Sequence, residues 1–287
     1  MLRYPYAPSP SLQKNYLQRG TSLVELLVGI TIGLLIVVAA LGSLVATQAG
    51  SSAATDSARL QQRADFIFRQ LGAQLQQAGA LKLEQSADPA KLVFSDKYTG
   101  FDPADSALAS LVGQVISIHG TEGAVGKPMA PDTLRTSYED SGSVTDVDCL
   151  GKRPSTAQAG MDHTFSVANG QLMCKGADSS QPAEAIADGV VDLQISYSVS
   201  TALGPPYRYL TADQITAADW SNIQAVNICI ELIGELGGQP QIASAEISKC
   251  KHNLLASTAT IKIPAIDNTG KVHKVFTRSF SLRNNLI

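Results

Sequence analysis

The chain has 287 residues, of which 44% are hydrophobic, and this is enough for one sizeable globular core together with a membrane-spanning segment. Its formal net charge is -3 and its sequence pI is near 5.8, so the composition lacks the strongly basic character of nucleic-acid-binding proteins. The first twenty residues contain Arg3, Lys14 and Arg19 and no acidic residue. The rest of the chain is therefore more acidic than the whole, as expected if a basic leader, residues 1–20, is removed.

A long apolar run follows this basic segment, from Leu23 to Ala46, and Glu25 is its one ionisable residue. At about 1.5 Å per residue, a helix of this length crosses a hydrocarbon core of about 30 Å. The alternative is a buried core helix, but few soluble helices are apolar on every face over this length. Because the basic residues precede the run, the positive-inside rule predicts a cytoplasmic amino terminus and a translocated remainder.

The helical pattern continues beyond the apolar run. Apolar residues at spacings of three and four draw one stripe, formed by Leu60, Ala64, Ile67, Leu71, Leu75 and Ala78. No proline interrupts the chain between Thr21 and Ala80, and Gly79 is a helix stop signal. We therefore predict one helix, from about Thr21 to Ala78, within an amino-terminal region of residues 21–79 whose span at 23–46 crosses the membrane.

Short strands separated by turn residues are predicted for residues 80–287. The runs with strand character are Lys91–Ser95, Gln114–His119, His163–Val167, Gln171–Cys174, Val190–Val199 and Ala225–Ile233. Asn169-Gly170, between two of these runs, predicts a tight hairpin. The sequence thus predicts an α+β fold in which a long amino-terminal helix packs on an antiparallel β-sheet domain.

Three further predictions concern the connections. Thr258–Pro264 and Val272–Leu282 flank a turn at 267–270 and predict a carboxyl-terminal hairpin. Two capping-box patterns within Thr211–Trp220 predict a short helix. The stretches Pro128–Asp148 and Ser198–Tyr207 are interpreted as loops.

Four cysteines, Cys149, Cys174, Cys229 and Cys250, lie in the part predicted to be translocated. None forms a C-x-x-C pair, which weakens a zinc-site interpretation. An oxidising compartment favours two disulfides, although buried free thiols are an alternative. Of the three connectivities, Cys149–Cys174 with Cys229–Cys250 is favoured because each pair brackets a short loop-rich stretch.

The residue types that carry most catalysis do not cluster in the sequence. His119, His163, His252 and His273 are scattered, without paired metal-ligand spacing, and no nucleotide-binding or hydrolase motif occurs. We predict neither an enzyme nor a cofactor. Asp140, Asp146 and Asp148 form an acidic loop; calcium binding is one interpretation, but their spacing is not that of an EF-hand, and a solvated loop is favoured over a metal site.

The segment from Arg19 to Leu27 resembles the class III signal of type IV prepilins. A basic residue and Gly20 precede the apolar helix, and Glu25 is fifth after that glycine. The resemblance implies that prepilin peptidase cleaves after Gly20 and N-methylates the new amine of Thr21. The chain departs from the family at Thr21, where phenylalanine or methionine is usual, and this puts the methylation in doubt more than the cleavage.

Glu25 has a physical rationale beside the resemblance. A carboxylate in a lipid-embedded helix is costly unless it is paired, so a lone one indicates function. The resemblance implies that Glu25 neutralises the amino-terminal amine of a neighbouring subunit during assembly. A side chain that snorkels to the nearby interface is the alternative.

Several segments of the carboxyl-terminal region occur in the order seen in PilW-like minor pilins. They are Asp148–Gly151, Leu172–Gly176, Gly189–Tyr197, Trp220–Val226 and Arg278–Asn284. The resemblance implies a pilin-like fold and a structural minor pilin that starts or supports type IV pilus assembly. It also implies other minor pilins and the pilus tip or assembly complex as partners, and a location in the bacterial inner membrane, with a periplasmic domain, and in the fibre.

Two alternative functions belong to different classes. A minor pseudopilin of type II secretion shares the signal, the helix and the sheet, and its genomic neighbours would distinguish it. A DNA-binding pilus subunit would need a basic strip with exposed aromatic residues, and no such run occurs, so no nucleic-acid partner is expected.

Overall fold

The structure, a computed structural model, describes residues 20–85, 91–94, 100–101, 116–123, 130–144, 146–154, 160–200, 208–237, 246–248, 250, 262–264 and 270–284. By its internal packing the chain divides into two compact units, Met1–Gln48 and Ala49–Ile287. Helix α1 runs from Leu23 to Gln77 and contributes to both. The predicted helix is thus confirmed to within two residues at each end.

Thirteen strands occur among the described residues. In chain order they are β1 (Leu83–Gln85), β2 (Leu92–Phe94), β3 (Ile118–Thr121), β4 (Thr133–Glu139), β5 (Gly160–Ala168), β6 (Gln171–Lys175), β7 (Glu184–Asp188), β8 (Val190–Val199), β9 (Arg208–Leu210), β10 (Ile223–Ile233), β11 (Glu246–Ser248), β12 (Lys262–Pro264) and β13 (His273–Ser281). Two short 3-10 helices, Ala212–Gln214 and Ala217–Asn222, lie where one short helix was predicted.

All the strand pairings are antiparallel, which confirms the α+β class. One sheet has the order β3-β4-β5-β6-β7 and another has the order β13-β10-β8-β9, while β1-β2 and β11-β12 form two-stranded ribbons. The predicted antiparallel β-sheet domain is thus confirmed, and among the described residues it consists of two larger sheets and two ribbons.

One hydrophobic core joins the second half of α1 to the two larger sheets. The stripe predicted on α1 is buried, with Leu60, Ile67, Leu71 and Leu75 at most 1% exposed. These side chains share a core with residues of both sheets, among them Ile118, Leu134, Phe165, Leu172, Leu193, Tyr197 and Ile228. Helix and sheets stabilise one another because each supplies the apolar surface that the other must bury.

Two of the sequence predictions are wrong. The stretch interpreted as a loop at Pro128–Asp148 contains β4, which pairs with both β3 and β5. The predicted carboxyl-terminal hairpin does not form, because β12 pairs with β11 whereas β13 pairs with β10 over nine residues. β4 pairs with the strands before and after it in the chain, whereas β13 pairs with β10 across the intervening β11 and β12, and local alternation does not identify either set of partners.

The predicted hairpin at Asn169-Gly170 is confirmed. Asn169 has φ 53° and Gly170 has φ 74°, so both central residues of this two-residue connection are left-handed. A type I′ turn requires this conformation at both central positions, and Asn-Gly adopts it at low cost. The turn sets the register of β5 against β6, in which Ala168 pairs with Gln171.

Candidate functional site

The residues around the predicted cleavage position lie before the first turn of α1. Gly20 and Thr21 are exposed, and the backbone N–H of Leu26 donates to the carbonyl of Ser22 at 3.1 Å. An exposed segment next to a helix start is accessible to a processing enzyme.

Glu25 occupies the first turn of α1 and is exposed. This position stabilises the negative charge of its carboxylate, because the helix macrodipole is positive at the amino terminus. Together with Thr21 it lines a shallow groove on the helix surface, whose other walls are Leu26, Gly29 and Ile30. The groove brings Glu25 and Thr21 to the same side of the helix, as their spacing of four residues requires.

The rest of the apolar run exposes large hydrophobic side chains. From Leu23 to Val45 their exposed fractions lie between 50% and 73%, and these side chains point in every direction around the helix. This is the helix among the described residues whose length and composition suit a membrane span. Such a surface requires lipid or other apolar helices around it, because water contact over this area is unfavourable.

A second carboxylate on α1, Asp56, has the opposite environment, and the sequence reasoning missed it. Asp56 is 1% exposed and accepts the backbone N–H groups of Glu235 at 3.4 Å and Leu236 at 3.2 Å. A Cβ at Gly234 would lie 2.1 Å from Oδ2 of Asp56, so a larger residue there would displace the carboxylate. An ion pair between Arg63 and Glu235 lies beside it. The available signal was that Asp56 extends the apolar stripe of Leu60 and Ala64 by one turn.

The four cysteines form two disulfides, Cys149–Cys174 and Cys229–Cys250, with Cα–Cα distances of 6.4 Å and 5.6 Å. This is the connectivity that the sequence favoured. The first disulfide joins the loop after β4 to strand β6. The second attaches Cys250 to the middle of β10.

The three aspartates of the acidic loop bind neighbouring groups of the protein. Asp140 accepts from the backbone of Gly142 at 2.8 Å and pairs with Arg153 at 3.2 Å. Asp146 accepts from the backbone of Ser141, and Asp148 accepts from two backbone N–H groups that follow it. No three metal-ligating side chains converge in the part of the chain that the structure describes.

The charges of that loop affect the pKa of the neighbouring Tyr138. Its hydroxyl donates to the carbonyl of Val147 at 3.0 Å. Burial, followed by the charges of Asp146, Asp140 and Asp148, raises the pKa of Tyr138 to about 12. The hydroxyl is therefore a permanent hydrogen-bond donor that fixes the loop on the sheet, rather than an acid-base group.

The three histidines in the part of the chain that the structure describes do not come together. The ring of His119 packs against that of Trp220 with 4.6 Å between ring centroids and 38° between the ring planes, and His273 lies 3.2 Å from Glu231. His163 is fully buried near Tyr138, and burial lowers the pKa of His163 to about 3. His252 lies outside the described residues. The three described histidines thus stand in separate structural environments.

Comparison with known protein families gives a match in the carboxyl-terminal part of the chain. Residues 157–284 match the PilW family, described as Type IV Pilus-assembly protein W. The resemblance to PilW-type minor pilins is therefore confirmed over these residues, and a minor pilin is the function that the match supports. None of the curated proteins compared with the chain matches it.

Two solved structures show distant likeness. A type IV-like pilin from Thermus thermophilus is 9% identical, covers 80% of this chain and 99% of its own, and has a TM-score of 0.44. The GspK-GspI-GspJ complex from the type 2 secretion system of enterotoxigenic Escherichia coli includes a chain that is 11% identical. That match covers 77% of this chain and 96% of the other, with a TM-score of 0.31. Both TM-scores are low, so neither likeness decides the function.

Proposed function

We propose that this chain is a structural minor pilin, held in the inner membrane by the first half of α1 and assembled there with other minor pilins to start or support a type IV pilus. The observation that carries the proposal is the match of residues 157–284 to the pilus-assembly family. The exposed apolar helix supports it, because a membrane-anchored pilus subunit needs such a segment.

Processing and orientation complete the proposal. Prepilin peptidase cleaves after Gly20, removing residues 1–20, and N-methylates Thr21. The basic residues of the leader resist translocation, so the leader lies on the cytoplasmic side. Residues 80–287 form the periplasmic domain. The chain acts by assembly and not as an enzyme, and another protein supplies the energy for fibre growth.

The assembly contact is electrostatic. Cleavage creates a positively charged amine at Thr21, and Glu25 of an adjacent subunit supplies the opposite charge. Both groups lie in an apolar environment, where an unpaired charge is costly and a pair is favoured. The exposure of Glu25 on the helix surface supports an intermolecular role, because the carboxylate remains accessible to a neighbour.

The test is the fibre incorporation of Glu25 variants expressed as the sole copy of the protein. A charge-assisted contact contributes about 1.5–3 kcal/mol, so Glu25→Ala and Glu25→Gln should lower incorporation about tenfold or more. Glu25→Asp keeps the charge and should retain part of the incorporation. Membrane levels should not fall, because removing a charge lowers the cost of insertion.

Mass spectrometry of the amino terminus provides the control, because it shows whether each variant was cleaved and methylated. Wild-type incorporation of Glu25→Ala at normal protein level would refute the assembly contact. Deletion of the gene should abolish or reduce piliation and leave type II secretion unchanged; the reverse result would identify a pseudopilin instead.

A further inference from the structure

The segment around strand β13 is basic, although the chain as a whole is acidic. Between Gly270 and Asn284 there is no aspartate or glutamate, and the basic residues are Lys271, Lys274, Arg278 and Arg283. The net charge of the whole chain is -3, so this positive charge is a local feature. A local concentration of positive charge attracts anionic partners.

Alternation along β13 brings charged and aromatic side chains to one face. The register with β10 is unbroken over nine pairs, so every second side chain points to the same side. The residues on this face are Lys274, Phe276, Arg278 and Phe280. The Arg278 side chain is 46% exposed. The sequence prediction of no nucleic-acid partner is based on consecutive residues, and alternation keeps these four residues apart in the chain.

Aromatic rings fix the positions of the two cations on this face. The guanidinium carbon of Arg278 is 5.1 Å from the ring centroid of Phe68 on α1, and the Nζ atom of Lys274 is 6.0 Å from that of Phe276. Phe276 and Phe280 themselves pack against the hydrophobic core. A cation held against a ring is already restricted, so binding a partner costs it less conformational entropy.

The charges beside this face leave it net positive. Asp65 of α1 lies 3.5 Å from Arg278, but both side chains are about half exposed, so this ion pair is weak. Arg69 is exposed one turn after Asp65, on the same side of the helix, and adds a further cation. On the opposite face of β13, Glu231 is buried and pairs with His273, so its charge does not face these cations.

We propose that Arg69, Lys274 and Arg278 form a basic strip that binds double-stranded nucleic acid through its phosphates, without reading its sequence. Lys274 and Arg278 are four residues apart, about 13 Å along a strand, and four steps of a duplex rise by about 14 Å. A guanidinium also matches the geometry of a phosphate. A single strand is disfavoured, because bases stack on open aromatic faces, whereas Phe276 and Phe280 pack against the core.

Fluorescence anisotropy of a labelled DNA duplex of mixed sequence, titrated with the full chain in neutral detergent micelles, tests the proposal. Between about 50 mM and 200 mM salt, three phosphate contacts contribute about -2.7 to the slope of log affinity against log salt. The double variant Lys274→Gln with Arg278→Gln should weaken binding and reduce the magnitude of the slope by about 1.8. Residues 1–20 are basic in every variant, so their contribution cancels in the comparison.

Two further variants separate the strip from general charge and from folding defects. Lys152→Gln with Lys175→Gln removes the same charge from exposed positions outside the strip, and should leave the slope unchanged. Asp65→Asn removes the acidic neighbour of Arg278 and should tighten DNA binding about twofold. A folding defect does not produce such a gain, so this variant tests the electrostatic role directly.

Four results would overturn the proposal. They are no DNA binding at low salt, an unchanged slope in the strip double variant, an equal loss in the Lys152→Gln with Lys175→Gln control, and an affinity for polyglutamate as high as that for DNA. The last result would assign the strip to an acidic protein partner. Strip-dependent binding of phosphatidylglycerol micelles without DNA binding would assign it to a lipid surface, with the same consequence.

The inference does not depend on the proposed function, and fibre incorporation separates the two. The strip double variant should enter the fibre normally, because the assembly contact proposed for Glu25 is unchanged in it. A variant that loses DNA binding but assembles supports the strip as a nucleic-acid site. A variant that keeps DNA binding but fails to assemble would overturn the strip as a nucleic-acid site and identify it as a subunit contact, and the minor-pilin proposal would stand.

Discussion

The two halves of α1 belong to one continuous helix but have opposite environments. Before Gln48, large apolar side chains are exposed, and Glu25 has no partner among the described residues. From Asp56 onward an apolar stripe is buried, and the Asp56 carboxylate accepts two backbone hydrogen bonds. The second half therefore stabilises the fold, whereas the first half has a surface that only lipid or other subunits can cover.

The comparison of the two carboxylates separates stability from assembly. A buried carboxylate that accepts hydrogen bonds from its own chain lowers the free energy of the folded subunit. A carboxylate without such bonds in an apolar helix gains a partner only through another molecule. Substitutions on the two halves should therefore affect different measurements.

At neutral pH, the largest effect is expected for Asp56→Ala. The substitution leaves the N–H groups of Glu235 and Leu236 without their acceptor, so the free energy of unfolding should fall by about 2–4 kcal/mol. Asp56→Asn keeps a neutral acceptor and should lose about half as much. Denaturant unfolding of the full chain in detergent, followed by fluorescence of the single tryptophan, Trp220, measures the change.

Glu25→Ala is the matched control, and its unfolding midpoint should equal that of the wild-type protein. A fall in the unfolding midpoint comparable to that of Asp56→Ala would contradict the division of stability and assembly between the two halves of α1. Normal stability of Asp56→Ala would show instead that the contact between Asp56 and the loop after β10 does not stabilise the domain.

The next effect is the pH dependence of stability, which should differ between the domain and the apolar half of α1. Burial lowers the pKa of His163 to about 3, below its unfolded value of 6.5. Protonation thus favours the unfolded chain, and the stabilisation that is complete above pH 6.5 is lost as the pH falls toward 3. The loss is about 1.4 kcal/mol per pH unit. His163→Leu should flatten the stability curve between pH 6.5 and pH 5, measured by the same fluorescence, and an unchanged slope would contradict the assignment.

The smallest effect comes from a pair of glycines, one in each half of α1. A Cβ at Gly72 would lie 2.6 Å from Cε1 of Phe280 in β13, whereas nothing lies within 4 Å of a Cβ at Gly42. Gly72→Ala should destabilise the domain by about 1 kcal/mol, because overpacking outweighs the gain in helix propensity. Gly42→Ala should leave the Trp220 unfolding curve unchanged. Equal effects of the two substitutions would show that helix propensity alone determines the change in stability.

Local patterns in the sequence determined α1, its apolar first half, its buried stripe and the hairpin at Asn169-Gly170. Each depends on residues close together in the chain: hydropathy over one segment, a spacing of three and four, or the left-handed preference of two turn residues. The same local information singled out Glu25, because a charge stands out in an apolar run.

Only the tertiary structure decided the partners of distant segments. Strand β4 was interpreted as a loop because its stability comes from the neighbours β3 and β5, and β13 pairs with β10 rather than with the nearby β12. The binding of Asp56 to backbone groups almost 180 residues away is likewise set by packing. Burial is a property of the whole folded chain, so a local pattern predicts which face must be covered but not which segment covers it.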